Sequence, residues 1–249
     1  MSLFVRDAFA GKLAGVLAFL LGSFTSLVAA IADDGGASVS ASGIVHRFQR
    51  QPLTRTYFSE GTAVGDLNAD GHVDVVYGPH WYAGPDFKQA QEIYPAKPQP
   101  MSGYADHFFA WVHDFNADGW NDVLAVGFPG TPAYVYENPG AGLATATAWT
   151  KHEVFDWVSN ESPAFADLTG DGKPELICTR DGMYGYAVPS FKDFEPWTFR
   201  RISGKVTTDK FGHALGFGDI DGDQRNDLLT KDGWFRNPGP DKDVLWAFQ

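Results

Sequence analysis

The sequence predicts an all-β chain built from repeated four-stranded antiparallel units, and three observations predict it. An acidic nonapeptide returns four times at nearly constant spacing. Short apolar or β-rich runs flank every copy. Glycine and proline are plentiful, at 28 and 15, and no segment outside an N-terminal apolar stretch carries a helical period of adequate length. Many short strands joined by tight turns have this composition.

The copies, loops one to four below, are DLNADGHVD (66–74), DFNADGWND (114–122), DLTGDGKPE (167–175) and DIDGDQRND (219–227), with first residues 48, 53 and 52 positions apart. A period near 50 marks one supersecondary unit stacked repeatedly. Before each loop lies a short apolar or aromatic segment: Gly61–Gly65, Phe108–His113, Ala164–Ala166 and Ala214–Gly218. After each comes a β-rich run: Val73–Tyr77, Asp122–Val126, Glu175–Thr179 and Asp227–Thr230. Strand, nine-residue turn, strand is a hairpin. Downstream, aromatic residues precede Gly84-Pro85 near Trp81 and Pro-Gly turns near Tyr136 and Trp234, and strands led by Trp149, Trp197 and Trp246 follow. Each unit therefore reads as four antiparallel strands, one blade of a β-propeller.

Oxygen donors at places 1, 3, 5 and 9 of each nonapeptide point to a hard cation, calcium above all. An EF-hand would need Glu at place 12 and a flanking helix on each side. Place 12 instead holds Tyr77, Ala125, Cys178 and Thr230, and the flanks are Val-rich and aromatic. The pattern D-x-[DN]-x-D-G-x-x-D, followed by Val/Leu runs, resembles the FG-GAP/VCBS repeat. That repeat forms the calcium-bearing blade of integrin-α-like propellers and of secreted planctomycete proteins. The resemblance covers residues 44–249. It implies side-chain ligands from Asp66, Asn68, Asp70 and Asp74 in loop one and from Asp114, Asn116, Asp118 and Asp122 in loop two. Loop three would use Asp167, Thr169, Asp171 and Glu175; loop four would use Asp219, Asp221, Asp223 and Asp227. Up to four structural calcium ions follow. Loop three, with Thr169 and Glu175, is expected to be weakest; loop four has the most charge but Gln224 in place of glycine. Such propellers usually have seven blades, so the four seen here are expected to be an open arc, a small ring or part of a larger one. Residues 44–58 are the candidate for a closing outer strand, and an open arc would favour self-association.

Aligning the units by their first loop Asp places Glu60, His107, Glu161 and His213 at entries to the inner strands. By propeller geometry these entries meet at the channel mouth, opposite the loops. His and Glu facing one cavity would suit a transition metal such as zinc or acid–base work; a solvated polar rim is the alternative. Tyr104, Trp81, Trp111, Tyr184 and Tyr186 are candidate sugar-stacking surfaces or blade packing, and His113 reads as packing. No phosphate loop, G-x-S-x-G, HExxH or CxxC occurs.

Residues 1–32 read as a secretory signal peptide, with basic Arg6 and Lys12, an apolar Leu13–Ala30 and an A-x-A site before Asp33. An uncleaved membrane anchor is the alternative. Residues 33–43 form a flexible linker before the repeats at 44–249. The expected location is secreted, periplasmic or cell-surface. The net charge of −12 and pI near 4.8 exclude a nucleic-acid partner, which needs a basic footprint. Cys178 is the only cysteine, so the metal loops would supply the rigidity that disulfides often give exported chains. Two functions follow: a binding module for extracellular carbohydrate or protein, or a carbohydrate lyase or dehydratase using the Glu/His mouth.

Overall fold

A computed structural model describes residues 2–5, 48–206, 210–239 and 244–249. The expected signal peptide (apart from residues 2–5) and the linker at 33–43 lie outside the described residues. Two units are distinguished, Met1–Leu53 and Thr54–Gln249. In the first, β1 (Ser2–Val5) pairs antiparallel with β2 (Gln49–Pro52). These two form a sheet of their own, so β2 is not the closing outer strand expected from residues 44–58.

The second unit holds four antiparallel four-stranded sheets, each a simple meander. Blade one is β3 (Ala63–Gly65), β4 (Asp74–Tyr77), β5 (His80–Tyr82) and β6 (Ala90–Glu92). Blade two is β7 (His107–His113), β8 (Asp122–Gly127), β9 (Thr131–Glu137) and β10 (Thr150–Val158). Blade three is β11 (Ala164–Ala166), β12 (Glu175–Arg180), β13 (Met183–Val188) and β14 (Thr198–Arg201). Blade four is β15 (Gly216–Gly218), β16 (Asp227–Thr230), β17 (Gly233–Arg236) and β18 (Ala247–Phe248). Among the described residues the helical content is one 3-10 turn, Gly140–Gly142, and no helix is long and apolar enough to cross a membrane. The fold is therefore all-β and propeller-like, with blades that do not close into a ring.

The nonapeptides make the first hairpin of every blade. Place 9 pairs with the residue before place 1: Asp74 with Gly65, Asp122 with His113, Glu175 with Ala166, Asp227 with Gly218. The second strands β4, β8 and β12 are buried almost throughout. They are continuous apolar runs because a neighbouring sheet covers them. One core lies between blades one and two, around Leu67, Val76, Trp81, Ile93 and Trp149. A second, between blades two and three, gathers Phe115, Leu124, Val154, Leu176, Cys178 and Trp197. The third, between three and four, holds Leu168, Ile177, Ile202, Leu228 and Trp246. The pattern stops at blade four. Val76, Leu124 and Ile177 are 1%, 0% and 0% exposed, whereas Leu229, at the matching place, is 42% exposed.

The predicted tryptophan-led strands begin one residue late. Trp149, Trp197 and Trp246 precede β10, β14 and β18, and each is a buried anchor into the preceding blade. Their N–H groups donate to the carbonyls of Ile93 (2.8 Å), Val154 (2.6 Å) and Ile202 (2.9 Å). The Trp backbone is thus engaged between sheets, and its ring fills the core; truncating such a ring costs about 3–5 kcal/mol. Five residues before Ile93, blade one carries Lys88 instead, which pairs with Asp86 on the surface.

Candidate functional site

Each acidic loop is folded by its own carboxylates. The place 1 carboxylate accepts the N–H groups of places 5 and 6: Asp66 from Asp70 and Gly71, Asp114 from Asp118 and Gly119, Asp167 from Asp171 and Gly172, Asp219 from Asp223 and Gln224. The place 5 carboxylate takes the N–H of place 7: Asp70 from His72, Asp118 from Trp120, Asp171 from Lys173 and Asp223 from Arg225. Place 9 is buried and reaches back to the N–H of place 2, from Asp74 to Leu67, Asp122 to Phe115, Glu175 to Leu168 and Asp227 to Ile220. Place 6 is left-handed in every loop: φ is 83° at Gly71, 89° at Gly119, 85° at Gly172 and 67° at Gln224. An added Cβ meets nothing within 4 Å at those three glycines. Gln224 therefore fits sterically, and its cost is backbone strain of about 1 kcal/mol.

This donor set fits a hard divalent cation. All its side-chain donors are oxygens: carboxylates, with Asn68 and Asn116 at place 3 of loops one and two and Thr169 in loop three. Three carboxylates come within 4.8 Å of one another in loop three (Asp167, Asp171, Glu175) and in loop four (Asp219, Asp221, Asp227). Burial pushes Asp122 up to about 7, against the pull of N–H bonds from Asn138 and Phe115. Burial likewise raises Asp74 and Glu175. These carboxylates are uneasy as anions without a cation beside them. Asp70, by contrast, is lowered, first by the His72 N–H.

Two asparagines of the Pro-Gly turns, Asn138 and Asn237, lock pairs of loops together, a role their place in the turn motif does not reveal. The N–H of Asn138 donates to Asp122 (2.8 Å), and its Nδ2 donates to the carbonyls of Leu67 and Asn121, both 2.8 Å away. Asn237 repeats this with Asp227 (2.8 Å), Leu168 (3.1 Å) and Asn226 (2.9 Å). Asn121 and Asn226, at place 8, donate to the carbonyls of Asp66 and Asp167. Blade two thus clamps loop one, and blade four clamps loop three. Val73 and Pro174 hold place 8 in blades one and three. The join between blades two and three is aromatic instead: Phe115, Phe165, Phe191 and Trp197 pack there, with His113 ringed by the three phenylalanines. His113 is accordingly packing, and burial lowers its pKa.

The residue preceding each clamping asparagine differs in charge. Blade two has Glu137, which meets His152 at 2.8 Å. A cleft of about 360 Å³ opens beside it, lined by Asp118, Trp120, Glu137, Pro139 and Thr150. Blade four has Arg236. Its Nε is 2.7 Å from Asp221 Oδ2 and its Nη2 is 3.3 Å from Asp223 Oδ2. Arg225 also pairs with Asp223, and its Nε donates to the carbonyl of Asn237 at 3.2 Å.

The mouth residues stand in two pairs at blade boundaries. Glu60 donates its N–H to the carbonyl of His107 (3.1 Å), while its carboxylate takes the Tyr57 hydroxyl and the Ala105 N–H. His107 Nδ1 is 2.6 Å from the Tyr94 hydroxyl, and burial, aided by Lys151, lowers its pKa to about 4. Glu161 donates its N–H to the carbonyl of Gly212, and its carboxylate is 3.0 Å from His213 Nε2.

Of the five candidate stacking aromatics, Trp81 is buried in a core, and Trp111, Tyr184 and Tyr186 pack against cores. Tyr104 is 67% exposed. It belongs to an exposed aromatic row that the repeat pattern did not mark. Its ring lies 5.7 Å from Phe128 and 5.6 Å from Phe108, and Phe128 lies 5.6 Å from Phe211. Lys210 Nζ sits 5.3 Å from the Phe128 centroid and 5.6 Å from that of Phe211. Phe128 is in the β8–β9 turn and Phe211 in the connection before blade four, so no spacing in the sequence joins them.

A family model described as an FG-GAP-like repeat matches residues 114–178. No curated protein matches this chain. Among solved structures, one similar chain is an Agrocybe aegerita lectin, described for specific recognition of non-reducing terminal N-acetylglucosamine. The identity is 18% and the TM-score 0.47, over 74% of this chain and 49% of that one. The chain thus spans about half the length of that lectin. Residues 114–178, with loops two and three near their two ends, are thus similar to an FG-GAP-like repeat.

Proposed function

We propose that the chain is an exported, calcium-stabilised binding module whose ligand, an extracellular carbohydrate or protein, docks on the aromatic row at the mouth. The observation that carries this reading is the pair of exposed rings Tyr104 and Phe211 on either side of the half-buried Phe128, with Lys210 beside them. The rings meet tilted at 50° and edge-to-face at 71°, and such mutual packing gives a rigid apolar ridge that suits the face of a pyranose or an aliphatic side chain. The acidic loops hold calcium and stiffen the hairpins beneath. Oxygen-only donors and buried carboxylates raised by burial support that assignment. The expected signal peptide at 1–32 carries the chain out of the cytoplasm, where calcium at millimolar levels fills weak sites.

Binding is favoured over lyase or dehydratase chemistry because Glu60 and His107 already have partners in Tyr57 and Tyr94. Glycan-array and partner-capture measurements on the full chain test the reading. Tyr104→Ala and Phe211→Ala should each weaken the best ligand about tenfold or more. Binding that neither change affects would place the ligand elsewhere.

A further inference from the structure

We propose that loop four carries its own cation: the guanidinium groups of Arg225 and Arg236 hold the carboxylates at places 3 and 5, so the turn closes without metal. Loop four, and not loop three as expected from its Thr169 and Glu175, is then the last of the four to take calcium, at least ~tenfold more weakly than loop two. The ranking rests on the calcium reading above; the closing of the turn by arginine does not.

The contrast with the other loops carries the inference. In loops one and two, the place 5 carboxylate takes a neutral donor at 3.0 Å, Asn68 Nδ2 on Asp70 and Asn116 Nδ2 on Asp118. Loop four has Asp221 in place of that asparagine, so a fourth carboxylate enters a nine-residue turn. Left alone, Asp221 and Asp223 would repel each other. Arg236 bridges them, and Arg225 closes on Asp223 from the other side. Side-chain exposure is only 17% at Asp223 and 23% at Asp221. Partial withdrawal from water strengthens such charge-assisted bonds. Place 7 holds His72, Trp120 and Lys173 in the other loops, and Lys173 lies over the Phe191 ring, its Nζ 5.7 Å from the centroid. Opposing this, Asp219, Asp221 and Asp227 still converge within 4.8 Å. The cage persists, and calcium enters it by displacing Arg236 rather than by recruiting new ligands. That displacement is the source of the weaker affinity.

The test is a calcium titration of the full chain followed by native mass spectrometry, with melting curves to establish that each variant folds. Wild type should take three ions, with a fourth only at ten times more calcium or beyond. Arg225→Gln/Arg236→Gln should bring the fourth ion into the range of the other three, and Arg236→Gln alone should shift it part of the way. Asp221→Asn/Asp223→Asn should leave the three tight ions in place, whereas Asp114→Asn/Asp118→Asn should remove one. Loss of a tight ion from the Asp221/Asp223 variant overturns the proposal, as does an arginine variant that gains nothing. If wild type binds no ion at all, the calcium reading fails by itself. The clamp is then read from the melting curves: Arg225→Gln/Arg236→Gln melting below wild type supports it, and an unchanged melting temperature overturns it.

Discussion

Blades two and four are assembled from the same parts and end in opposite electrostatic states. Both hold their loop by a buried place 9 aspartate, clamp the preceding loop with place 8 and turn asparagines, and continue into Pro-Gly. They differ in the residue before that asparagine, Glu137 against Arg236, and at place 7, Trp120 against Arg225. In blade two an acidic cleft stays open beside the loop. In blade four the same region is filled by guanidinium groups bonded to the loop. The backbone grammar of the acidic loop therefore specifies its shape, and on the proposed calcium reading two neighbouring side chains decide whether its charge is met from outside or from within.

The largest expected effect is calcium removal. A site filled at a hundred times its Kd adds about 2.7 kcal/mol, and a domain of this size shifts about 2–4 °C per kcal/mol. Emptying loops one to three with a chelator should lower the Tm by about 15 °C or more, restored by calcium. A melting curve indifferent to chelator would remove the distinction between the two blades, leaving both metal-free. Next come the asparagine clamps. Asn138→Ala and Asn237→Ala each strand one buried and one half-buried carbonyl, so each should cost about 2–3 kcal/mol in denaturant unfolding. Near-equal losses would establish that the clamps work alike despite the charge difference beside them.

Much of this was legible in the sequence, because the features that repeat are local. The nonapeptides located all four hairpins, and β8, β12 and β16 start at place 9 as the pattern requires, while β4 starts at Asp74 rather than Val73 and β3 and β15 start two residues inside the expected Gly61 and Ala214. The Trp-led strands were displaced by one residue because Trp149, Trp197 and Trp246 bond across to the previous sheet, a partner that local periodicity does not name. The clamps of Asn138 and Asn237 were masked for the same reason: their acceptors lie 71 and 69 residues away. The Tyr104–Phe128–Phe211 row joins a turn to a connection two blades on, and neither segment repeats. Arg225 and Arg236 were visible as letters, but their pairing with Asp221 and Asp223 is a property of side-chain reach.

A charge exchange sharpens the comparison at a smaller scale. Glu137→Arg places in blade two the cation that blade four has, within reach of Asp118 across the cleft. Calcium affinity at loop two should fall by about tenfold, equivalent to about 1.4 kcal/mol. Tight binding kept in this variant would mean that Arg225, not Arg236, governs blade four.

The smallest effect concerns the mouth ends of the same two blades, where His107 in blade two is matched by Gly212 in blade four. Both accept the N–H of a glutamate through their carbonyls, but at this place blade two has a buried ring, whereas blade four has Gly212 and carries its ring on the next residue, the exposed His213 beside Glu161. Burial, with a contribution from Lys151, lowers His107 to about 4, and Asp106 pulls the other way. In the unfolded chain the ring titrates near 6.5, so between pH 6.5 and 4 the unfolded state binds more protons than the folded one. Stability is complete above about 6.5 and is lost as the pH falls, by about 1 kcal/mol at pH 6. Protonation would also set a cation against Lys151. His107→Asn, which retains a group close to Nδ1 for the Tyr94 hydroxyl, should abolish this part of the slope. Denaturant unfolding at pH 7.5 and 6 in saturating calcium reads it, because calcium keeps the loop carboxylates ionised and silent. A slope that survives the substitution would assign the acid sensitivity to the loops and leave the mouths of the two blades equivalent.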